Sequence, residues 1–199
     1  MSQHDTESTQ QVASVVTESD GRAASEDDRR EPRDRVTGKL ERIWLKRAKG
    51  GPMDAVNTVL LEVNGGIRDN ANRGGKRQVT IISQERWAEL MDALGADLSP
   101  SARRANLMVS GLNLENSRGR ILRIGATRLQ IHGETRPCEQ MEATHAGLQE
   151  LMKSRWGGGA FGEVVDGGEI CVGDDVEWDR NRSSLITNGE SANPLSSNR

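Results

Sequence analysis

Tyrosine is absent from this 199-residue chain and phenylalanine occurs once, and only 34% of residues are hydrophobic against 29% charged. That balance is too polar for one compact domain along the whole length, so part of the chain is expected not to fold. Residues 1–35 carry nine Asp or Glu, five Arg, and only Met1, Val12, Val15 and Val16 as large apolar side chains. Four such residues cannot offset the entropy of ordering the segment, which reads as a disordered acidic arm. Residues 179–199, rich in Ser, Asn and Arg, read as a second disordered tail. The remaining 36–178 suffices for one core of ordinary size.

Long apolar runs are missing too: nothing approaches the roughly 18 residues of a membrane helix, and the N-terminus has neither a basic region nor an apolar one of leader type. A soluble, cytoplasmic protein without a membrane partner is expected. There are two cysteines, Cys138 and Cys171, which in that compartment read as free thiols. The net charge of −3 divides into −4 on the arm, +1 on the tail and none on 36–178, so no nucleic-acid footprint is present. Lysine is scarce, five against 22 arginines, which fits either a GC-rich genome or planar recognition of anions by guanidinium groups. No phosphate-loop, dinucleotide, Gly-x-Ser-x-Gly or His-Glu-x-x-His motif occurs.

What the chain does have is glycine. Twenty of its 22 glycines fall within 36–178 and punctuate short apolar runs, the pattern of many short strands joined by tight turns. Strands are predicted at 40–45, 57–63, 79–83, 106–109, 121–124, 127–132, 162–165, 169–172 and 175–178, with hairpins at Ile124-Gly125-Ala126-Thr127 and Asp166-Gly167-Gly168-Glu169. Two segments change to helical period. In the first, Ser83 caps a helix with Trp87, Leu90, Met91 and Leu94 on one face and Gly95 as its stop; in the second, Met141, Leu148, Leu151 and Met152 share a face before Gly157-Gly158-Gly159. The fold class is therefore mainly β (α+β), a closed or nearly closed β-barrel with about two flanking helices.

Cys138 stands out chemically. It follows the strand ending at His132, in the turn Gly133-Glu134-Thr135-Arg136-Pro137-Cys138, just ahead of the second helical segment. A helix N-terminus and a nearby Arg136 favour a thiolate, while Glu134 and Glu139 oppose it, so a functional thiol and a buried, inert cysteine both stand as readings. Cys171, inside Ile170-Cys171-Val172, reads as structural. His132, Cys138 and His145 offer zinc-type donors, but at the spacing of no compact zinc module. Asn64-Gly65-Gly66 and Arg73-Gly74-Gly75-Lys76-Arg77 read either as an anion cradle or as plain turns, and Arg103-Arg104 adds cations or a solvated loop.

Taken in order, the segments Gly74 to Ser83, Arg104 to Leu112, Gly119 to Gly125, Thr135-Arg136-Pro137-Cys138 and Gly167 to Val176 resemble the MOSC domain, the module named after the C-terminal part of molybdenum cofactor sulfurase. The resemblance spans about residues 38–178 and implies a barrel-like, strand-rich fold. It implies a protein that binds the molybdenum cofactor (molybdopterin) or carries its sulfur, with the Pro-Cys cysteine, here Cys138, as metal ligand or persulfide carrier. It further implies Arg77, Arg104 and Arg136 as holders of the pterin phosphate. Relatives of amidoxime-reducing type reduce N-hydroxylated compounds; others act in sulfur transfer. A separate electron donor or a cysteine desulfurase is then the implied partner, because no iron–sulfur or flavin motif is present. Pyridoxal phosphate belongs to the family through a fused desulfurase for which 199 residues leave no room. The chain departs from the Gly-Asp-x-His loop of many relatives: in Gly66-Ile67-Arg68-Asp69-Asn70, Asp69 matches and the histidine does not. The alternative is a non-catalytic β-barrel interaction module in which Cys138 is buried and structural.

Overall fold

The computed structural model describes residues 37–179, so the acidic arm and all but the first residue of the tail expected above lie outside the described residues. In chain order the elements are β1 (Gly38–Leu45), β2 (Asp54–Val56), β3 (Thr58–Glu62), β4 (Gly66–Ile67), β5 (Val79–Ser83), α1 (Gln84–Leu94), β6 (Leu107–Ser110), β7 (Ile121–Ile124), β8 (Thr127–Glu134), α2 (Glu139–Thr144), α3 (Leu148–Leu151), β9 (Ala160–Asp166), β10 (Gly168–Cys171) and β11 (Asp175–Trp178). A short 3-10 turn, Pro100–Arg103, leads into β6.

Seven strands run in the order β11-β7-β8-β9-β5-β6-β1, and β11 pairs again with β1 to close the barrel. Closure leaves no bare ladder edge in this sheet except where the short β2 extends β1. A second sheet, β10-β3-β4, stands beside it. The barrel is antiparallel except at β5 and β6, which run parallel (Ile81 opposite Leu107) with α1 in the crossover between them.

Two apolar cores hold this arrangement. Along β8, burial alternates, with Thr127, Leu129, Ile131 and Gly133 buried and Arg128, Gln130, His132 and Glu134 on the outer face. Leu129 and Ile131 join Leu40, Ile43, Ile81, Leu107 and Leu122 in the barrel interior. All five residues of β5 are buried: Val79 and Ile81 belong to the interior, Ile82 to a second cluster with Trp44, Trp87, Leu90, Met108, Met141, Leu148 and Met152 beneath the helices. Each large side chain so buried contributes about 1.5–3 kcal/mol.

The caps of α1 form as the sequence predicts. Arg86 N–H donates to Ser83 Oγ at 3.2 Å, and Gly95, at φ 63°, donates to Asp92 O while Ala96 N–H reaches Met91 O. Ser83→Ala is expected to lower stability by about 1 kcal/mol, read from the denaturant midpoint.

Two expectations are corrected. The second helical segment is broken into α2 and α3, because His145 is extended and Gly147 takes a left-handed φ of 82°; Met141, Leu148 and Met152 nonetheless bury together. Asp166-Gly167-Gly168-Glu169 is not a hairpin, since β10 pairs with β3 and not with β9. Here the chain leaves the barrel for the second sheet, and Gly167 passes so close to Leu61 O that a Cβ would sit 2.7 Å from it. The Ile124–Thr127 hairpin does form, with Gly125 at φ 54°.

Candidate functional site

The fold gathers cations at one end of the β5–β6 pair. Arg77 lies two residues before β5, while Arg103 and Arg104 precede β6, so the parallel pairing brings these positions to the same end. Lys46 follows β1, which runs antiparallel to β6, and joins them there. A buried polar network fixes this corner. Asn106 accepts from Thr80 Oγ1 at 2.9 Å and donates to Trp44 O and Asn70 Oδ1, and Asn70 Oδ1 also accepts from Lys46 N–H at 2.9 Å.

Arg103 is the buried member, 7% exposed. Its guanidinium donates to Gly158 O from Nε at 3.0 Å and from Nη2 at 2.6 Å, and to Thr135 O at 3.3 Å. Burial pushes its pKa down to about 10, the neighbouring charge of Arg77 adds to the fall, and Cys138 opposes it. The Lys46 ammonium is likewise pushed down, first by burial and then by the charges of Arg104 and Arg77. Arg77 is thus coupled both to Lys46, which also feels Arg104, and to Arg103, which in turn feels Cys138. Arg104, in a left-handed conformation at φ 59°, donates to Gly51 O at 2.7 Å, and Arg77 lies 5.9 Å from the Phe161 ring centre. Among the described residues, no carboxylate lies within ion-pair distance of any of the four cations.

Cys138 is exposed, not buried, and occupies the cap position of α2 with its side chain bonding to no helix N–H. Three residues earlier, Thr135 Oγ1 is buried and has no hydrogen-bond partner among the described residues. An exposed soft donor beside uncompensated cations is suited to a polyanion that also carries a thiophilic metal.

Of the residues predicted from sequence, Arg77, Arg104 and Cys138 are brought into this neighbourhood. Arg136 is exposed and lines a separate depression with Glu134, Pro137 and Lys153. Arg103 was foreseen only as half of a basic pair; nothing in the sequence marks it as the buried half. Lys46 is not marked by the sequence except through the rarity of lysine, and Asn70 enters there only as part of the Gly66–Asn70 loop, with no role. Cys171 is half-buried in β10: its N–H donates to Asp174 Oδ2 and its Sγ lies 3.4 Å from Thr58 Oγ1. His145 turns its Nδ1 to Ala146 O, and among the described residues no cluster of three or more His, Cys, Asp or Glu is disposed to hold a metal. Asn64-Gly65-Gly66 is the β3–β4 turn, flanked by Arg68 and Arg73, both paired with Glu62. No helix among the described residues is long and apolar enough to cross a membrane.

Barrel and helices together define a small β-barrel domain that groups cations at one end of its parallel strand pair and carries an exposed thiol at the start of α2. A sequence model of the MOSC domain matches residues 49–177, and the chain belongs to the MOSC domain family, a family associated with the molybdenum cofactor. Its fold is similar to that of the YuaD protein from Bacillus subtilis (TM-score 0.61, 21% identity, covering 73% of this chain and 97% of that one). It is also similar to YiiM from Escherichia coli (TM-score 0.57, 16% identity, 72% of this chain and 70% of that one) and to YiiM from Geobacillus stearothermophilus (TM-score 0.59, 16% identity, 72% and 75%). At such identities the likeness is one of fold. No curated protein matches the chain in sequence.

Proposed function

We propose that this MOSC-domain protein binds the molybdenum cofactor, with Cys138 as a thiolate donor to the metal and Lys46, Arg77 and Arg104 around the cofactor's phosphate. The observation that carries this reading is the group of four cations at one end of the β5–β6 pair, without carboxylate partners among the described residues, one of which, Arg103, is coupled to the exposed Cys138. A protein that only relayed sulfur as a persulfide would need the thiol but not the cations. The buried, unpartnered hydroxyl of Thr135 next to the Pro137-Cys138 turn supports a polar ligand at the same place.

When bound, the cofactor supplies a metal centre for two-electron removal of oxygen from N-hydroxylated compounds. The chain's own residues hold and orient it. Arg103, tied to Thr135 O and Gly158 O, fixes the end of β8 and hence the start of the turn that carries Cys138. It also sets a positive charge electrostatically coupled to Cys138. Arg77 is exposed and makes no hydrogen bond to the protein among the described residues, so its guanidinium is available to a phosphate. Electrons for any such reduction come from a separate donor protein.

Arg77→Ala is expected to weaken cofactor retention about tenfold, the effect of losing one charge-assisted phosphate contact, whereas Arg136→Ala keeps it within about twofold. Pterin released per chain after dialysis measures both. Equal losses in the two variants would dissolve the distinction between the corner and the separate depression. Retained sulfane sulfur on Cys138 without pterin in either would replace cofactor binding by sulfur carriage.

A further inference from the structure

A second depression, of about 460 Å³, opens on the outer face of β8 and β9 and is lined by Lys76, Arg118, Gln130, His132 and Phe161. Its two cations are unpaired: among the described residues, neither Lys76 nor Arg118 has a carboxylate within ion-pair distance. Arg118 is held there by the fold. The turn that follows it is stitched to β8 by Gly119 N–H to Ile131 O and Ile131 N–H to Arg120 O. Its guanidinium crosses Gly133 so closely that a Cβ on Gly133 would lie 3.0 Å from Nη2. The aromatic component is a pair, with the His132 and Phe161 rings 6.5 Å apart between centres and tilted by 31°. His132 Nε2 is itself buried and lies 3.0 Å from Glu163 Oε1, so the imidazole contributes its ring face rather than a hydrogen bond.

We infer that this depression binds small planar aromatic anions, a ring bearing a phosphate or carboxylate, with the oxyanion on Arg118 and Lys76 and the ring against Phe161 and His132. A guanidinium and an ammonium without carboxylates select negative charge, and the two rings select a flat apolar body over a hydrated ion. Arg77 lies between this place and the cationic corner, with its guanidinium 5.9 Å from the Phe161 ring centre on one side and electrostatically coupled to Arg103 on the other. A ligand held here lies on the Phe161 side of Arg77. Its service as a substrate rests on the cofactor reading, but its binding does not.

The test is a titration of the full chain, free of cofactor, with phenyl phosphate and separately with inorganic phosphate, following the imidazole NMR signal of His132. The expected result is a saturable movement of that signal by phenyl phosphate at concentrations at least tenfold below those needed with inorganic phosphate. Arg118→Ala and Phe161→Leu should each weaken the effect about tenfold or more, while Arg104→Gln, which addresses the cofactor corner, leaves it within twofold. Unchanged melting temperatures will show the variants to be folded. A His132 signal that does not move, or moves equally in Arg118→Ala, overturns the site; equal saturation by the two phosphates overturns its aromatic selectivity. Loss of cofactor binding in Arg77→Ala with an intact His132 response would separate the two sites.

Discussion

Cys138→Ser is expected to lose molybdenum and pterin together while unfolding at the same denaturant concentration as the parent chain, within about 0.5 kcal/mol. The expectation of unchanged stability is structural. Cys138 is exposed and its thiol bonds to no helix N–H, so its removal leaves no cavity and orphans no buried group. A serine hydroxyl at the start of α2 is in fact a better cap than a thiol. The expected loss of cofactor is chemical, since a neutral hydroxyl is a poor donor to a metal already bound by soft sulfur. Metal and pterin content and a denaturant melt on the same preparation decide the matter. Undiminished metal in the variant would remove Cys138 from the site, and a large fall in stability would give it back its structural reading.

Gly158→Ala is expected to lower stability by about 3 kcal/mol or more, a fall in melting temperature of roughly 10 °C. A Cβ built on Gly158 stands 1.8 Å from Thr135 O and 3.3 Å from Arg103 Nη2. The first of these is backbone on a paired strand end, where Thr135 N–H bonds to Gly159 O, so it cannot swing aside. Relief requires the loop to lift from β8, which breaks the bonds from Arg103 to Gly158 O. Cofactor retention should fall with it. Gly75→Ala is the control: nothing lies within 4 Å of its Cβ, and its left-handed φ of 62° limits the loss to about 1 kcal/mol. Thermal melts of the two variants side by side measure the difference, and equal midpoints would contradict the close contact of loop and strand end.

Which parts of this structure are legible in the sequence follows from how local their causes are. The helix α1 is announced at both ends, by Ser83 and by Gly95, and by an apolar face at 3.6-residue spacing. The Leu129 and Ile131 alternation places β8 correctly for the same reason: its period is its burial. The strands β2 and β4 are not announced, because three and two residues are too few to show a period. The break between α2 and α3 turns on Gly147, an isolated glycine that the shared face of Met141, Leu148 and Met152 conceals. The false hairpin at Gly167-Gly168 has the right turn residues, but β3, about a hundred positions earlier, claims the strand that follows.

The site shows the same division. Cys138 is marked by its own neighbours, a proline before and a helix after, but they leave its exposure open, and only the fold decides it. The grouping of Arg77, Arg103, Arg104 and Lys46 is a product of pairing between β1, β5 and β6, and no local pattern encodes it. Arg103 and Arg104 are adjacent in sequence, yet one is buried among carbonyls and the other reaches Gly51 O, a division made by the left-handed turn at Arg104. Gly157-Gly158-Gly159 reads as a helix stop, whereas its constraint is the closeness of Met152, Thr135 and Ile81.

The measurement that bears most directly on cofactor ligation is molybdenum-edge X-ray absorption on the full chain, purified anaerobically from a cofactor-producing host, beside its Cys138→Ser variant. Two dithiolene sulfurs and the Cys138 thiolate predict three sulfur neighbours around the metal in the parent chain, and the variant should hold no molybdenum, or retain a residue of it with two. A parent chain with two sulfur neighbours that the substitution leaves unchanged, or a chain with no molybdenum at all, would contradict ligation by Cys138.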